Sequence, residues 1–126
     1  MKTGIERTYF ENGQIWTEEY FLNGKLHRLN GPAWIEYREN EKIYGEEYCI
    51  NGELHREDGP AQLSYYENGK IREEIYYKND EPHREDGPAA IYYDEDGESY
   101  SEEYYIDGEY ITDEFKIMVI NGLGIK

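Results

Sequence analysis

At 126 residues the chain is one domain by length, with room for a modest core but not for a deep catalytic cleft flanked by a second domain. Twenty-nine Asp and Glu against 13 Lys and Arg leave a formal charge of -16, a field that repels nucleic acid and anionic lipid and attracts basic proteins. Cys49 has no second cysteine to pair with, which excludes an intrachain disulfide and a cysteine-based zinc site; a reducing, cytoplasmic setting, of its own cell or of a host's, is the expectation.

Only 37% of residues are hydrophobic and 15 are Tyr, so the expected core is thin and aromatic, with phenol hydroxyls left wet. Met1 to Phe10 holds no signal-peptide run, and nothing approaches the roughly 18 apolar residues of a membrane span.

From residue 9 to residue 111 the sequence repeats with a step of 28: His27-Arg28, His55-Arg56 and His83-Arg84 keep it, as do Gly31-Pro32-Ala33, Gly59-Pro60-Ala61 and Gly87-Pro88-Ala89. Such a period means stacked supersecondary units, each burying its apolar face against its neighbours. The units are about 3–30, 31–58, 59–86 and 87–111, followed by a cap over 112–126.

In chain order, Thr3 to Phe10 aligns with the first strand of a unit and Ile15 to Leu22 follows as the second. A first turn signal sits at Asn12-Gly13, Asn40-Glu41, Asn68-Gly69 and Asp96-Gly97. A second sits at Asn23-Gly24, Asn51-Gly52, Asn79-Asp80 and Asp107-Gly108. Both read as two-residue type I′ hairpin turns, which need positive φ at both central positions. A third, Asn30-Gly31-Pro32 and its equivalents, removes a donor where a strand begins or ends.

Ala33 to Arg38, Ala61 to Tyr66 and Ala89 to Tyr93 read as short strands, and Lys42 to Ile50 and Lys70 to Lys78 as longer ones. Alternation is weak on both faces, which suits a single thinly covered sheet. After Ile111, Thr112 to Gly122 reads as a short helix or an added strand closing the stack. The fold class is therefore all-β, an antiparallel β-hairpin repeat array.

The stretches Tyr65-Tyr66-Glu67-Asn68-Gly69-Lys70-Ile71-Arg72-Glu73-Glu74 and Ile50-Asn51-Gly52-Glu53-Leu54-His55 resemble the MORN-repeat variant. That resemblance implies a curved ribbon of hairpins and a role as a scaffold or, in bacterial members, as an antitoxin-like protein; it brings no catalytic residues. The Leu-His-Arg-Glu-Asp-Gly-Pro-Ala connector and the negative charge depart from the group, and an anionic membrane would repel this surface.

Three His at one repeat position invite a metal, but equivalent residues two or three strands apart lie roughly 10 to 14 Å from one another, too far for one ion. Local hydrogen bonds for the His, and pairing of the Arg with Glu57, Asp58, Glu85 or Asp86, are expected instead. Asp94-Glu95-Asp96-Gly97 with Glu103 imitates part of a calcium loop, yet Tyr92 stands where the first carboxylate belongs. The acids are spread evenly along the chain and not gathered as one odd pair in a pocket. The expectation is a non-enzyme without cofactor or metal.

The acidic ladder is the stronger signal. Glu18, Glu46, Glu74 and Glu102 each precede a tyrosine (Tyr20, Tyr48, Tyr76, Tyr104) by two residues, so on a strand each pair shares a face. Residues 64–126 carry 17 acids and 6 bases, against 12 and 7 for residues 1–63. Four units at about 10 to 14 Å would span about 40 to 55 Å, close to the charge density of a nucleic-acid strand.

The expected function is an inhibitor that occupies the basic nucleic-acid-binding surface of a nuclease or defence effector. Glu18, Glu46, Glu74, Glu102, Glu103, Asp94, Asp96 and Asp107 would supply charge, and Tyr48, Tyr76, Tyr104 and Tyr105 would anchor. The composition fits a phage product, monomeric or a small homo-oligomer. An antitoxin against one cognate toxin and a structural scaffold are the alternatives.

Overall fold

The computed structural model of the chain describes residues 1–112 and 114–116. It is an antiparallel β array, in agreement with the fold class read from the sequence. Each unit begins with a hairpin in one long sheet: β1 (Gly4–Tyr9) with β2 (Ile15–Leu22), β4 (Trp34–Tyr37) with β5 (Ile43–Glu47), β8 (Gln62–Tyr65) with β9 (Ile71–Ile75), and β12 (Ala90–Tyr93) with β13 (Ser99–Ile106). The sheet order is β1-β2-β4-β5-β8-β9-β12-β13, with consecutive hairpins paired side by side.

After each large hairpin comes a small one. β6 (Cys49–Ile50) pairs β7 (Glu53–Leu54) and β10 (Tyr77–Lys78) pairs β11 (Glu81–Pro82) as separate two-stranded ladders, whereas β3 (Lys25–Leu26) and β14 (Glu109–Ile111) fold back on the ends of β2 and β13. The small hairpins stack on one another through Gly52 N–H to Leu26 O and Asp80 N–H to Leu54 O, both 2.8 Å, and Gly108 N–H to Pro82 O, 2.9 Å.

The two kinds of turn differ. Asn23-Gly24, Asn51-Gly52, Asn79-Asp80 and Asp107-Gly108 all have positive φ at both positions, as a type I′ turn requires. At the large hairpins only one residue per turn does: Gly13, Glu41, Gly69 or Gly97. Gly13 N–H donates to Phe10 O at 3.0 Å and Phe10 N–H to Gln14 O at 2.9 Å, a three-residue loop in place of the expected two.

The asparagine side chain explains the longer loop. Asn12 Oδ1 accepts the N–H of Gln14, Asn40 that of Lys42 and Asn68 that of Lys70, at 2.9, 3.1 and 2.9 Å, which holds a three-residue turn without positive φ at the asparagine itself. Beyond the turn, one extra residue in the second strand, Trp16, Tyr44, Arg72 or Tyr100, shifts the register of every large hairpin.

The long strands expected over Lys42 to Ile50 and Lys70 to Lys78 are each split. Tyr48 and Tyr76 leave the large ladder, donating N–H to Ala61 O and Ala89 O at 2.7 Å, and the chain then turns into the small hairpin. A unit therefore advances the main sheet by two strands, about 9.6 Å, and its eight strands cover about 34 Å. That is shorter than expected, because the small hairpins lie beside the main ladder and add nothing to its length. The cap expected over Thr112 to Gly122 falls mostly outside the described residues.

Burial is thin, as the composition demands. Ala33, Ala61 and Ala89 are fully buried, Ile35, Leu63 and Ile91 nearly so, and Tyr104, Ile106 and Ile111 form a small cluster at the carboxyl end. Cohesion then rests on contacts between neighbouring units.

The Gly-Pro connector supplies one such contact. Arg28, Arg56 and Arg84 lie over the rings of Tyr20, Tyr48 and Tyr76 at 4.0, 3.9 and 4.2 Å and donate Nη1 to the carbonyls of Pro32, Pro60 and Pro88 at 3.2, 3.0 and 3.1 Å. Each guanidinium fills the space that a side chain at the glycine would take: a Cβ at Gly31 would stand 2.9 Å from Arg28 Cζ, and at Gly59 and Gly87 3.0 Å from the equivalent atoms.

The Gly31→Ala variant should lose about 1 to 2 kcal/mol in urea denaturation, because the guanidinium must leave its ring and carbonyl. Combined with Arg28→Ala, the two losses should fall short of additivity by about 0.5 kcal/mol or more. Strict additivity would show that the arginine is not what excludes a side chain from Gly31.

Candidate protein-binding surface

Cross-strand register sorts the acids by face. One row runs Arg7, Glu18, Ile35, Glu46, Leu63, Glu74, Ile91, Glu102, each residue directly opposite the next. The four ladder glutamates thus share one face in a single line, alternating with apolar side chains. Glu103, next to Glu102 on β13, points to the opposite face, in a row with Glu19, Trp34, Glu47, Gln62, Ile75 and Ala90.

Three of the four ladder carboxylates hold a tyrosine of the next unit. Tyr37 OH donates to Glu18 at 2.7 Å, Tyr65 OH to Glu46 at 2.6 Å and Tyr93 OH to Glu74 at 2.5 Å, each across 19 residues. Arg7 adds a 2.7 Å ion pair to Glu18. Burial works to raise the Glu18 carboxyl, but the bonds from Arg7 and Tyr37 outweigh it and hold the group below the usual carboxylate range. Glu102 remains exposed.

The donors respond in the opposite sense. Burial, then the bond to the glutamate, pushes Tyr37 and Tyr93 up to about 12, and Tyr65 is raised for the same reasons. Glu18, Glu46 and Glu74 are therefore half-buried parts of a unit-to-unit contact. The tyrosines expected as anchors are likewise engaged: Tyr48 and Tyr76 lie beneath Arg56 and Arg84, and Tyr104 is a core residue, 5% exposed, because it begins the strand segment that packs on Ile111. Tyr105 is half-buried and meets Tyr110 edge-on at 5.6 Å.

The remaining acids sit in turns. Asp94 Oδ1 accepts the N–H groups of Asp96 and Glu98 at 3.0 Å, shaping the last large turn, while Asp96 is exposed. Asp107 N–H donates to His83 Nδ1 at 2.9 Å. The same bond joins Asn51 N–H to His27 and Asn79 N–H to His55, at 3.0 and 3.1 Å, each across 24 residues. The three histidines thus link successive units through their Nδ1 atoms. Among the described residues no group of three or more His, Cys, Asp or Glu gathers as a metal site.

Several bases bind the protein's own backbone carbonyls. Lys42 Nζ and Lys70 Nζ donate to the carbonyls of Glu67 and Asp96 in the following turn, at 3.0 and 3.1 Å, and Arg38 Nη2 to Tyr65 O at 2.9 Å. The acids are left along both sides of the ribbon: Glu39, Glu41, Glu67 and Glu95 at the large turns, and Glu53, Asp80, Glu81 and Glu109 at the small hairpins, all exposed. Burial pushes the Cys49 thiol up to about 12, which leaves it protonated and unreactive.

The face opposite the ladder carries a second strip. Trp16, Tyr44, Arg72 and Tyr100 are the added residues of the four large hairpins. Trp16 Nε1 donates to Glu36 at 3.3 Å and Arg72 Nε to Ser64 at 3.2 Å, while Tyr100 meets Tyr92 with ring centres 6.5 Å apart. Glu36, Ser64 and Tyr92 share one register row, so the strip lies on their side.

The MORN repeat variant matches residues 2–23 and 61–79. Both matches fall on the same part of the unit, a large hairpin with its flanking residues, and neither includes the His-Arg connector. The two matches are consistent with a degenerate MORN-type repeat pattern, which together with the hairpin array suggests a repeat module of the protein-binding kind. No curated protein and no solved structure matches the chain. Among the described residues no helix is long and apolar enough to cross a membrane.

The phenol bonds make an alkaline prediction. Tyr37 and Tyr93 are raised in the folded state from 10.0 to about 12, so their contribution is fully present below the unfolded value and is lost as pH rises through the folded one. Urea midpoints should hold up to about pH 10 and then fall towards about pH 12, less steeply in Tyr93→Phe. Phenolate absorbance in which every tyrosine of the folded protein titrates together near 10 would contradict the Tyr–Glu bonds.

Proposed function

We propose that the chain is a non-catalytic module that docks on a basic surface of a partner protein and, where that surface is the nucleic-acid groove of a nuclease or defence effector, blocks it by competition. The observation that carries this reading is the division of labour between charges. Lys42, Lys70 and Arg38 bind backbone carbonyls, and Arg28, Arg56 and Arg84 cover tyrosine rings. The acids of the turns stay in solvent along both sides of the ribbon.

Sixteen net charges on a sheet of about 34 Å amount to about one per 2 Å, between the roughly 1.7 Å of duplex DNA and 3.4 Å of a single strand. Like charges held this close repel one another, and a basic partner relieves that repulsion. The steering acids are those of the turns, Asp96 and Asp107 among them, with Glu102 and Glu103 on β13. Glu18, Glu46 and Glu74 contribute to the field from half-buried positions.

Pull-down from a nuclease-containing lysate, repeated at rising salt, tests this. Capture should fall steeply between about 50 and 500 mM as screening shortens the reach of the field. Capture indifferent to salt would overturn docking by charge. Loss of capture in Glu67→Lys/Glu95→Lys, with an unchanged urea midpoint, is expected of the turn acids.

A further inference from the structure

The strip of added residues lies on the face opposite the glutamate row, and its two middle members join neighbouring units, Arg72 bonding to Tyr44 across 28 residues. Its two ends are open: Trp16 is 44% and Tyr100 69% exposed. Phe10 supports Trp16 with ring centres 5.6 Å apart, and the Arg72 guanidinium lies 5.4 Å from the Tyr44 ring while donating Nη2 to its hydroxyl at 3.2 Å. The strip is aromatic at three of its four positions, and its members recur every second strand, at a pitch of about 9.6 Å.

That pitch selects a ligand. A polyproline II helix presents the same side every three residues, about 9.3 Å along its axis. Proline rings laid across the strands would meet the open rings of Trp16 and Tyr100 without loss of register, while Tyr44 between them is engaged by the Arg38 and Arg72 guanidinium groups at 5.0 and 5.4 Å. The strip also runs beside the large turns, whose Glu39, Glu41, Glu67 and Glu95 are exposed, so cationic side chains between the prolines would find carboxylates within reach.

We propose that this strip is the docking site for a proline-rich segment bearing lysine or arginine, bound as a polyproline II helix across the strands. The inference rests on the basic-partner reading above and specifies which part of the partner is gripped. Single-stranded nucleic acid also stacks on aromatic rings, but a net charge of -16 opposes it. A neutral oligosaccharide would leave the flanking acids without a counterpart.

The test is a titration followed by the Trp16 indole N–H resonance, using a repeating Pro-Pro-Lys peptide about 15 residues long, which spans ~46 Å as polyproline II. A Gly-Ser-Lys peptide of the same length and charge is the comparison, and a neutral β-linked glucan hexasaccharide a third ligand. The proline peptide should shift the Trp16 resonance and bind at least about 10-fold more tightly than the Gly-Ser-Lys peptide, and Tyr100→Ala should weaken it about 10-fold with an unchanged urea midpoint. Equal binding of the two peptides would overturn the polyproline site and leave docking by charge standing. Binding of neither would remove both. A Trp16 shift with the glucan alone would assign the strip to carbohydrate and overturn the proposal.

Discussion

The array depends on a joint made three times. At each junction the backbone N–H at the tip of one small hairpin donates to the Nδ1 of a histidine in the preceding unit, for Asn51, Asn79 and Asp107 alike. The next residue in sequence, Arg28, Arg56 or Arg84, covers a tyrosine ring and binds the proline carbonyl of its own connector. For the first small hairpin, Thr3 Oγ1 accepts the N–H of Asn23 at 2.9 Å. With so little apolar area buried, directional bonds of this kind set the relation of each unit to the next, and neighbour contacts make up most of the cohesion of a repeat stack.

One consequence is that the residues most faithful to the period are occupied. His, Arg, Gly, Pro and three of the four ladder Glu have a structural partner one unit away or within the connector, so binding is left to positions where the units differ or face water. The charge imbalance follows from the same arrangement. Several arginines and lysines sit on rings and carbonyls, Lys42 and Lys70 on those of the turn residues Glu67 and Asp96, and Arg56–Asp58 and Arg84–Asp86 pair at 3.1 and 3.2 Å. The first connector differs, with Leu29 and Asn30 in place of the acid pair, and Leu29 is 83% exposed.

Much of this was legible in the sequence, and the illegible part has a common cause. The step of 28, the type I′ turns at Asn-Gly and the single sheet follow from local residue chemistry, which a sequence displays directly. The Glu18–Tyr37 and His27–Asn51 bonds join residues 19 and 24 positions apart, so they depend on cross-strand register. Within every large hairpin that register shifts by one at an extra residue of the second strand, Trp16, Tyr44, Arg72 or Tyr100, beyond a three-residue turn whose only positive φ is at Gly13, Glu41, Gly69 or Gly97. Glu41 shows why the turn was misread: a non-glycine residue occupies the left-handed position that Gly-rich equivalents disguise as half of a two-residue turn. The break in the long strands at Tyr48 and Tyr76 was hidden likewise, since an aromatic residue in a β-rich run gives no local signal that its ladder has ended.

The joint between units can be observed atom by atom. A backbone N–H that donates to Nδ1 requires the neutral imidazole with its proton on Nε2. Long-range nitrogen–proton correlation spectra of the three imidazoles at neutral pH should therefore show Nδ1 unprotonated and accepting in His27, His55 and His83, with scalar coupling to the amides of Asn51, Asn79 and Asp107. A proton on Nδ1 in all three rings would contradict the joint, and with it the claim that the repeated residues serve to hold the units together.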